Sequence, residues 1–168
     1  FEIIKKTLSK DAINFSMKLI KSDLKLLGIN HDNFFYESDI VKKKLINKSL
    51  NRLKKNKIVI EGFLQPPKGE DNINWKKKKK LIFKSTSYGD DTDRSLQKDD
   101  GSWTYFANDL AYHSNKISRK FNFLINILGA DHTGYIKRIT AAVNAISNNK
   151  TKLICKVCQL VKLYKDGQ

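Results

Sequence analysis

Phe121-Asn122-Phe123-Leu124-Ile125-Asn126-Ile127-Leu128-Gly129-Ala130-Asp131-His132-Thr133-Gly134 is an apolar run that ends in a glycine, a carboxylate and an imidazole. From Phe121 to Leu128 it has the near-continuous apolar character of a parallel strand buried on both faces. Gly129, which lacks a side chain, permits a tight exit from strand to loop. Gly134 to Ile146 then reads as a helix and Leu153 to Leu163 as another strand. Strand, helix and strand at this spacing make a βαβ unit, which predicts an α/β fold with a parallel sheet. Ligands of such sheets bind beyond the carboxyl ends of the strands, where Asp131 and His132 are expected. Without a ligand, Asp131 would be an N-cap and His132 an ordinary loop residue.

Upstream, Tyr105 to Ser118 reads as a helix. Tyr105 and Asp109 are four residues apart and so share one face, with Tyr112 and Lys116 on a neighbouring stripe. A carboxylate beside a phenol suits a cationic ligand: the carboxylate can take a guanidinium bidentately, and the ring adds a π face. Taken alone, such a pair is usually plain helix surface. Tyr88 to Asp100 is turn-rich and acidic (Asp90, Asp91, Asp93, Asp99, Asp100). Carboxylates are hard oxygen ligands, but the spacing is no EF-hand, and turn and cap roles are favoured. Leu81 to Phe83 reads as a strand. Gln65 to Lys80, with Pro66-Pro67, Gly69 and the lysines Lys76 to Lys80, reads as an exposed loop, its charge more consistent with solvated surface than with RNA phosphates.

The N-terminal third is helical in pattern. Phe1 to Leu27 carries Ile4, Leu8, Ala12, Phe15, Leu19 and Leu26 at helical spacing, with a bend or break near Ser9-Lys10-Asp11 and Gly28 as the terminating glycine. Asn33 to Tyr36 reads as a short strand. Ser38 caps a helix running through Val41, Leu45, Ile46, Leu50 and Leu53. Lys57 to Leu64 reads as a strand or hairpin arm.

The chain has 168 residues, about one domain. Its hydrophobic share of 40% is that of a globular protein. No apolar run approaches the ~20 residues of a membrane span, and no secretory signal is visible. Phe1 opens the chain, Met17 is its single methionine and Lys165-Asp166-Gly167-Gln168 is a turn signal, so the chain reads as an internal stretch of a longer protein. Formal net charge is +16, from 33 Lys+Arg against 17 Asp+Glu. Such a surface attracts phosphate-rich partners, although a lysine-rich coding bias produces the same number. Cys155 and Cys158 lie three apart on a predicted strand and so on opposite faces, which argues for two buried or half-buried free thiols in a reducing cytosol rather than a metal or redox pair. The sequence contains no Walker-type glycine loop, no legible Ser/His/Asp or Cys/His set, and no cluster with metal-ligand spacing.

Several blocks together resemble the bacterial-type arginyl-tRNA synthetases, class I enzymes. Leu24 to Asp32 is similar to the family's segment beyond its first ATP signature. Gly89-Asp90-Asp91-Thr92-Asp93-Arg94 resembles its Gly-Asp-Asp-x-Asp-Arg turn. Asp100-Gly101-Ser102-Trp103-Thr104-Tyr105, with Asp109 and Ala111-Tyr112-His113, resembles its amino-acid-recognition block. Gly129-Ala130-Asp131-His132 with Gly134-Tyr135 and Arg138 resembles its adenylate block, and Gln159-Leu160-Val161 the strand leading to its second ATP signature. Arg119-Lys120-Phe121-Asn122 departs from the more usual Arg-Gly-Phe-Asp and puts the local turn in question.

The resemblance implies a Rossmann-type α/β catalytic domain: residues 1–65 a helical, connective portion, and 66–168 the Rossmann-type portion, truncated at both ends. It implies an arginine–tRNA ligase that activates arginine with ATP and transfers it to the 3′ end of tRNA(Arg). Tyr105, Asp109 and Asp131 would bind arginine. Gly129, Asp131, His132, Gln159 and Val161 would bind ATP or the adenylate. Mg²⁺ is expected with ATP, with no protein ligand assigned, and the full-length form would be cytoplasmic and monomeric. Neither the His-x-Gly-His nor the Lys-Met-Ser-Lys signature occurs in these residues. No catalytic group is therefore assigned within them, and the 168 residues alone are expected to be inactive. The alternatives are a non-catalytic basic RNA-binding module and a degenerate synthetase-like protein.

Overall fold

The computed structural model describes residues 1–42, 44–64, 78–162 and 164–165. The chain divides into two compact units, Phe1–Tyr36 and Glu37–Gln168. In the first, α1 (Glu2–Leu26) is one uninterrupted helix, without the expected break near Ser9-Lys10-Asp11. Those three residues are exposed and cost the helix only propensity, which its own hydrogen bonds outweigh. Gly28 ends it as expected. At φ +74° it lets the Ile29 N–H reach the Leu24 carbonyl (2.8 Å) while its own N–H bonds to Lys25 (3.0 Å), a Schellman closure. Asn33 to Tyr36 is not a strand. Within this unit Phe34 is taken up by ring contacts, with Lys21 Nζ 4.6 Å from its centroid and His31 at 5.6 Å.

The second unit holds the core. The helix expected from Ser38 through Leu53 is two helices, α2 (Glu37–Lys42) and α3 (Leu45–Lys55), and Ser38 lies inside the first. Lys44, in the left-handed region at φ 49°, makes the break, which a continuous apolar pattern cannot reveal. α3 buries Ile46, Leu50 and Leu53, one stripe at helical spacing. Strands β1 (Val59–Gly62), β2 (Lys80–Phe83) and β3 (Arg94–Ser95) form an antiparallel sheet in that order, with Val59 opposite Phe83 and Ile82 opposite Ser95. Fully buried Phe83 meets Phe106 edge-on at 5.5 Å, which joins this sheet to α4 (Tyr105–Ser118). The Thr104 side chain accepts from the Ala107 N–H and caps α4.

β4 (Phe123–Gly129) and β5 (Lys152–Cys158) are parallel, aligned from Phe123 with Lys152 to Gly129 with Cys158. Between them run a 3₁₀ segment (Ala130–Tyr135) and α5 (Ile136–Ser147), which buries Ile139, Ala141, Ala142, Val143 and Ile146. The βαβ unit and its α/β class are as expected. Three details differ. The helix starts at Ile136 rather than Gly134, because the chain first tightens into the 3₁₀ segment. β5 stops at Cys158 rather than Leu163. β4 is not buried on both faces: Leu124 is buried, but Phe123, Ile125 and Ile127 are more than half exposed. An all-apolar run cannot report which of its two faces is covered. Cys155 is half-buried and both thiols are free, as expected; Cys158 is exposed rather than sheltered.

Lys120 stands in a backbone conformation that suits glycine. Lys120 sits at φ 64°, where glycine is unstrained and a side chain is not. Lys120→Gly is therefore expected to stabilise the fold by about 0.5–1 kcal/mol, read as a higher urea midpoint at unchanged slope; a lower midpoint would contradict it.

The expected loop over Gln65–Lys80 lies outside the described residues as far as residue 77. Of its lysines, Lys79 pairs with Glu61 (2.7 Å) and Lys80, which opens β2, with Asp99 (2.6 Å).

Candidate ligand site at the ends of the parallel strands

Gly129 and Cys158 end the paired strands side by side. Beyond them opens a cleft of about 570 Å³ lined by Gly129, Ala130, Asp131, Cys158, Gln159, Leu160 and Val161, within the range of small-molecule sites. Four of the residues picked out in sequence thus line one space: Gly129, Asp131, Gln159 and Val161. The fifth, His132, lies beside Asp131, with Nε2 3.3 Å from Asp131 Oδ2. Asp131 does not cap a helix; its side chain is four-fifths exposed. An added Cβ at Gly129 would collide only with Asp131 Oδ1, the end of an exposed side chain that can turn aside. Thr133 Oγ1 donates to the Ala130 carbonyl and closes the turn (2.5 Å).

The same 3₁₀ segment reaches Asp109 at its other end. The Tyr135 hydroxyl donates to Asp109 Oδ2 at 2.6 Å. Burial first, and then the bond to Asp109, raise the Tyr135 phenol well above its ordinary range, so it remains a donor. The Arg138 guanidinium stacks on the Tyr135 ring at 5.0 Å. Tyr105 stands one turn before Asp109 on α4, largely exposed, with Lys98 Nζ 5.8 Å from its ring. Among the described residues no hydrogen bond joins Tyr105 to Asp109.

A second network holds the backbone of Asp109. His113 Nδ1 lies 2.9 Å from the Asp109 carbonyl, which can only accept, so Nδ1 carries the proton. Nε2 then accepts from the Asn126 amide on β4 (3.1 Å), and Asn126 Oδ1 accepts from Lys116 (3.1 Å). Burial pushes His113 below the ordinary imidazole range and keeps the ring neutral, as this chain of donors requires. Tyr135, His113 and Asn126 had no assigned role in the sequence. His113 and Tyr135 fell within the blocks that carry the resemblance, and Asn126, polar in the middle of an apolar strand, was itself a signal, since such a residue needs a partner.

The acidic turn serves structure. Asp90 takes Arg94 bidentately through Nε and Nη2, both 2.7 Å, and accepts the Asp91 N–H. Asp93 accepts from the Thr86 N–H and hydroxyl, Asp100 from those of Ser102, and Asp91 pairs with Lys137 on α5. Among the described residues no group of three or more His, Cys, Asp or Glu could hold a metal ion, and no helix is long and apolar enough to cross a membrane.

A parallel β–α–β crossover with an open cleft at its carboxyl edge places the chain among α/β proteins, whose ligands bind at that edge. Comparison with known proteins narrows the class. No family model matches the chain. It is 56% identical over all 168 residues to the arginine–tRNA ligase of Pelagibacter ubique, and 49% identical over 157 residues to that of Ruegeria sp.. A crystal structure described as an arginyl-tRNA synthetase from Campylobacter jejuni superposes with a TM-score of 0.75 at 32% identity, covering 96% of this chain and 32% of that one. The Plasmodium falciparum arginyl-tRNA synthetase, at TM-score 0.67 and 18% identity, speaks to the fold alone. The chain is thus similar to arginine–tRNA ligases along its whole length, and it spans under a third of the length of these relatives, 29% in the Pelagibacter case.

Proposed function

We propose that the chain supplies the amino-acid and adenylate side of an arginine–tRNA ligase site. The observation that carries this reading is convergence: Gly129, Asp131, Gln159 and Val161 line one cleft, and Asp109 is tied through Tyr135 to the 3₁₀ segment that carries Asp131 and His132. In this reading Asp109 takes the guanidinium of arginine, with Tyr105 beside it, and Asp131 lies against the amino acid or the adenylate ribose. Gly129, His132, Gln159 and Val161 contact the ATP-derived part. An arginine carboxylate oxygen bonds to the α-phosphorus while the bond to the β-phosphate oxygen breaks and pyrophosphate leaves. The terminal ribose hydroxyl of tRNA(Arg) then attacks the activated carbonyl, and AMP leaves.

The phosphate-handling signatures are absent from these residues, and Mg²⁺ is proposed to arrive with ATP, without an assigned protein ligand. The full-length ligase is proposed to be cytoplasmic and monomeric, and the 168 residues alone to be inactive in charging.

In a full-length ligase carrying this chain, with tRNA(Arg) present, arginine is expected to drive exchange of pyrophosphate into ATP, and lysine or ornithine is not. Exchange without preference among these amino acids would overturn the reading. A basic RNA-binding role draws no support from Lys79 and Lys80, whose charges are paired with Glu61 and Asp99.

A further inference from the structure

We propose that Tyr135 is a positioning residue for arginine recognition: its phenol holds Asp109 Oδ2, so that the carboxylate offers a fixed plane, with Oδ1 uncommitted, to the guanidinium. The inference rests on the reading of Asp109 as the arginine partner.

The geometry supports it from three sides. The 2.6 Å bond engages one of roughly four acceptor sites on the carboxylate, and among the described residues Oδ1 accepts no hydrogen bond. The phenol cannot turn away easily, because its ring lies against Arg138 and the residue is half-buried. The backbone of Asp109 is held independently, through His113 to Asn126 on β4. Both ends of Asp109 are thus fixed to neighbouring elements, while one oxygen remains open. A guanidinium presents two parallel donors in a plane, so a carboxylate free to rotate about its last bond would lose part of the pairing to entropy, and a clamped one would not.

A bond that merely stapled α4 to the 3₁₀ segment would have the same length. The two roles differ in what they do to arginine alone. The bond is already made without arginine, so its loss acts through the ordering of the carboxylate that arginine binding must then supply. In the full-length ligase, Tyr135→Phe is therefore expected to raise the KM for arginine roughly three- to tenfold. KM for ATP should stay within about twofold, and kcat should change little, as for an interaction used equally in ground and transition states. The rise in Tm on adding arginine should shrink, while the rise on adding ATP remains.

An unchanged arginine KM would overturn the proposal. So would a variant in which the arginine and ATP constants worsen together and the two ligand-induced Tm shifts fall alike. Asp109→Asn run in parallel separates the two layers. If that variant uses arginine normally, the assignment of Asp109 itself fails. If it loses arginine while Tyr135→Phe does not, the clamp alone fails.

Discussion

Asp109→Ala, in a full-length ligase carrying this chain, is expected to lower kcat/KM for arginine by about 10²–10⁴. The reason is the asymmetry of buried charge. A guanidinium that has left water for a site without its carboxylate pays desolvation and gains little back, and truncating one partner of such a pair costs about 2–5 kcal/mol. The loss should be confined to arginine, since the residues proposed for ATP, Gly129, Gln159 and Val161, lie in the cleft, on other elements. Alanine also leaves the Tyr135 hydroxyl without its acceptor, which costs stability as well. Asp109→Asn avoids this, because the amide oxygen can still accept from the phenol while the charge is gone. Both variants should fail in arginine-dependent pyrophosphate exchange, and the asparagine variant should melt close to the parent. Normal charging by either would remove Asp109 from the site.

The second large effect is on stability. Asp90 is buried, and its carboxylate is met by Arg94 through two bonds and by the Asp91 N–H. Burial by itself would raise its pKa, but the Arg94 hydrogen bonds, the Asp91 N–H and the Arg94 charge outweigh it and hold the carboxyl below its ordinary range. Asp90→Ala leaves the Arg94 guanidinium, about three-quarters covered, without a counter-charge. Breaking a buried pair from one side costs about 3–5 kcal/mol. Because Arg94 keeps some water, a loss of about 3 kcal/mol is expected, or a Tm lower by roughly 6–12 °C. The pH dependence follows in sign. A carboxylate with a depressed folded pKa contributes its stability above the unfolded value near 3.8 and loses it as pH falls through the lower, folded value. The parent should therefore lose stability more steeply than Asp90→Ala in that acid window. Equal midpoints in urea at neutral pH would show that the turn does not depend on this pair.

Particular elements show how far the residues alone could be read. The βαβ unit was legible because an eight-residue apolar run, a helical pattern and a second apolar run have different periods. The glycine closing α1 was legible because few other residues tolerate its backbone angle. The break at Lys44 was not, since nothing about lysine announces a left-handed turn. The exposed face of β4 was hidden for a related reason: apolar residues on both faces look the same whether one face is covered or two.

The site divides in the same way. The chemical groups were present in the order of residues: a phenol and a carboxylate a helical turn apart, a glycine–alanine–aspartate–histidine strand exit, and the Gln159–Val161 stretch. Composition and spacing are local properties, and these could be read directly. Which of those groups meet was a matter of long-range geometry. The bond between Tyr135 and Asp109 spans 26 positions, and that between Asn126 and His113 spans 13. Such pairings exist only once α4, β4 and the 3₁₀ segment have docked, because a hydrogen bond is set by about 3 Å of distance and a direction that sequence separation does not encode. The order of residues offered a carboxylate and a phenol suited to a cationic ligand; only the docked elements bring Tyr135 onto Asp109.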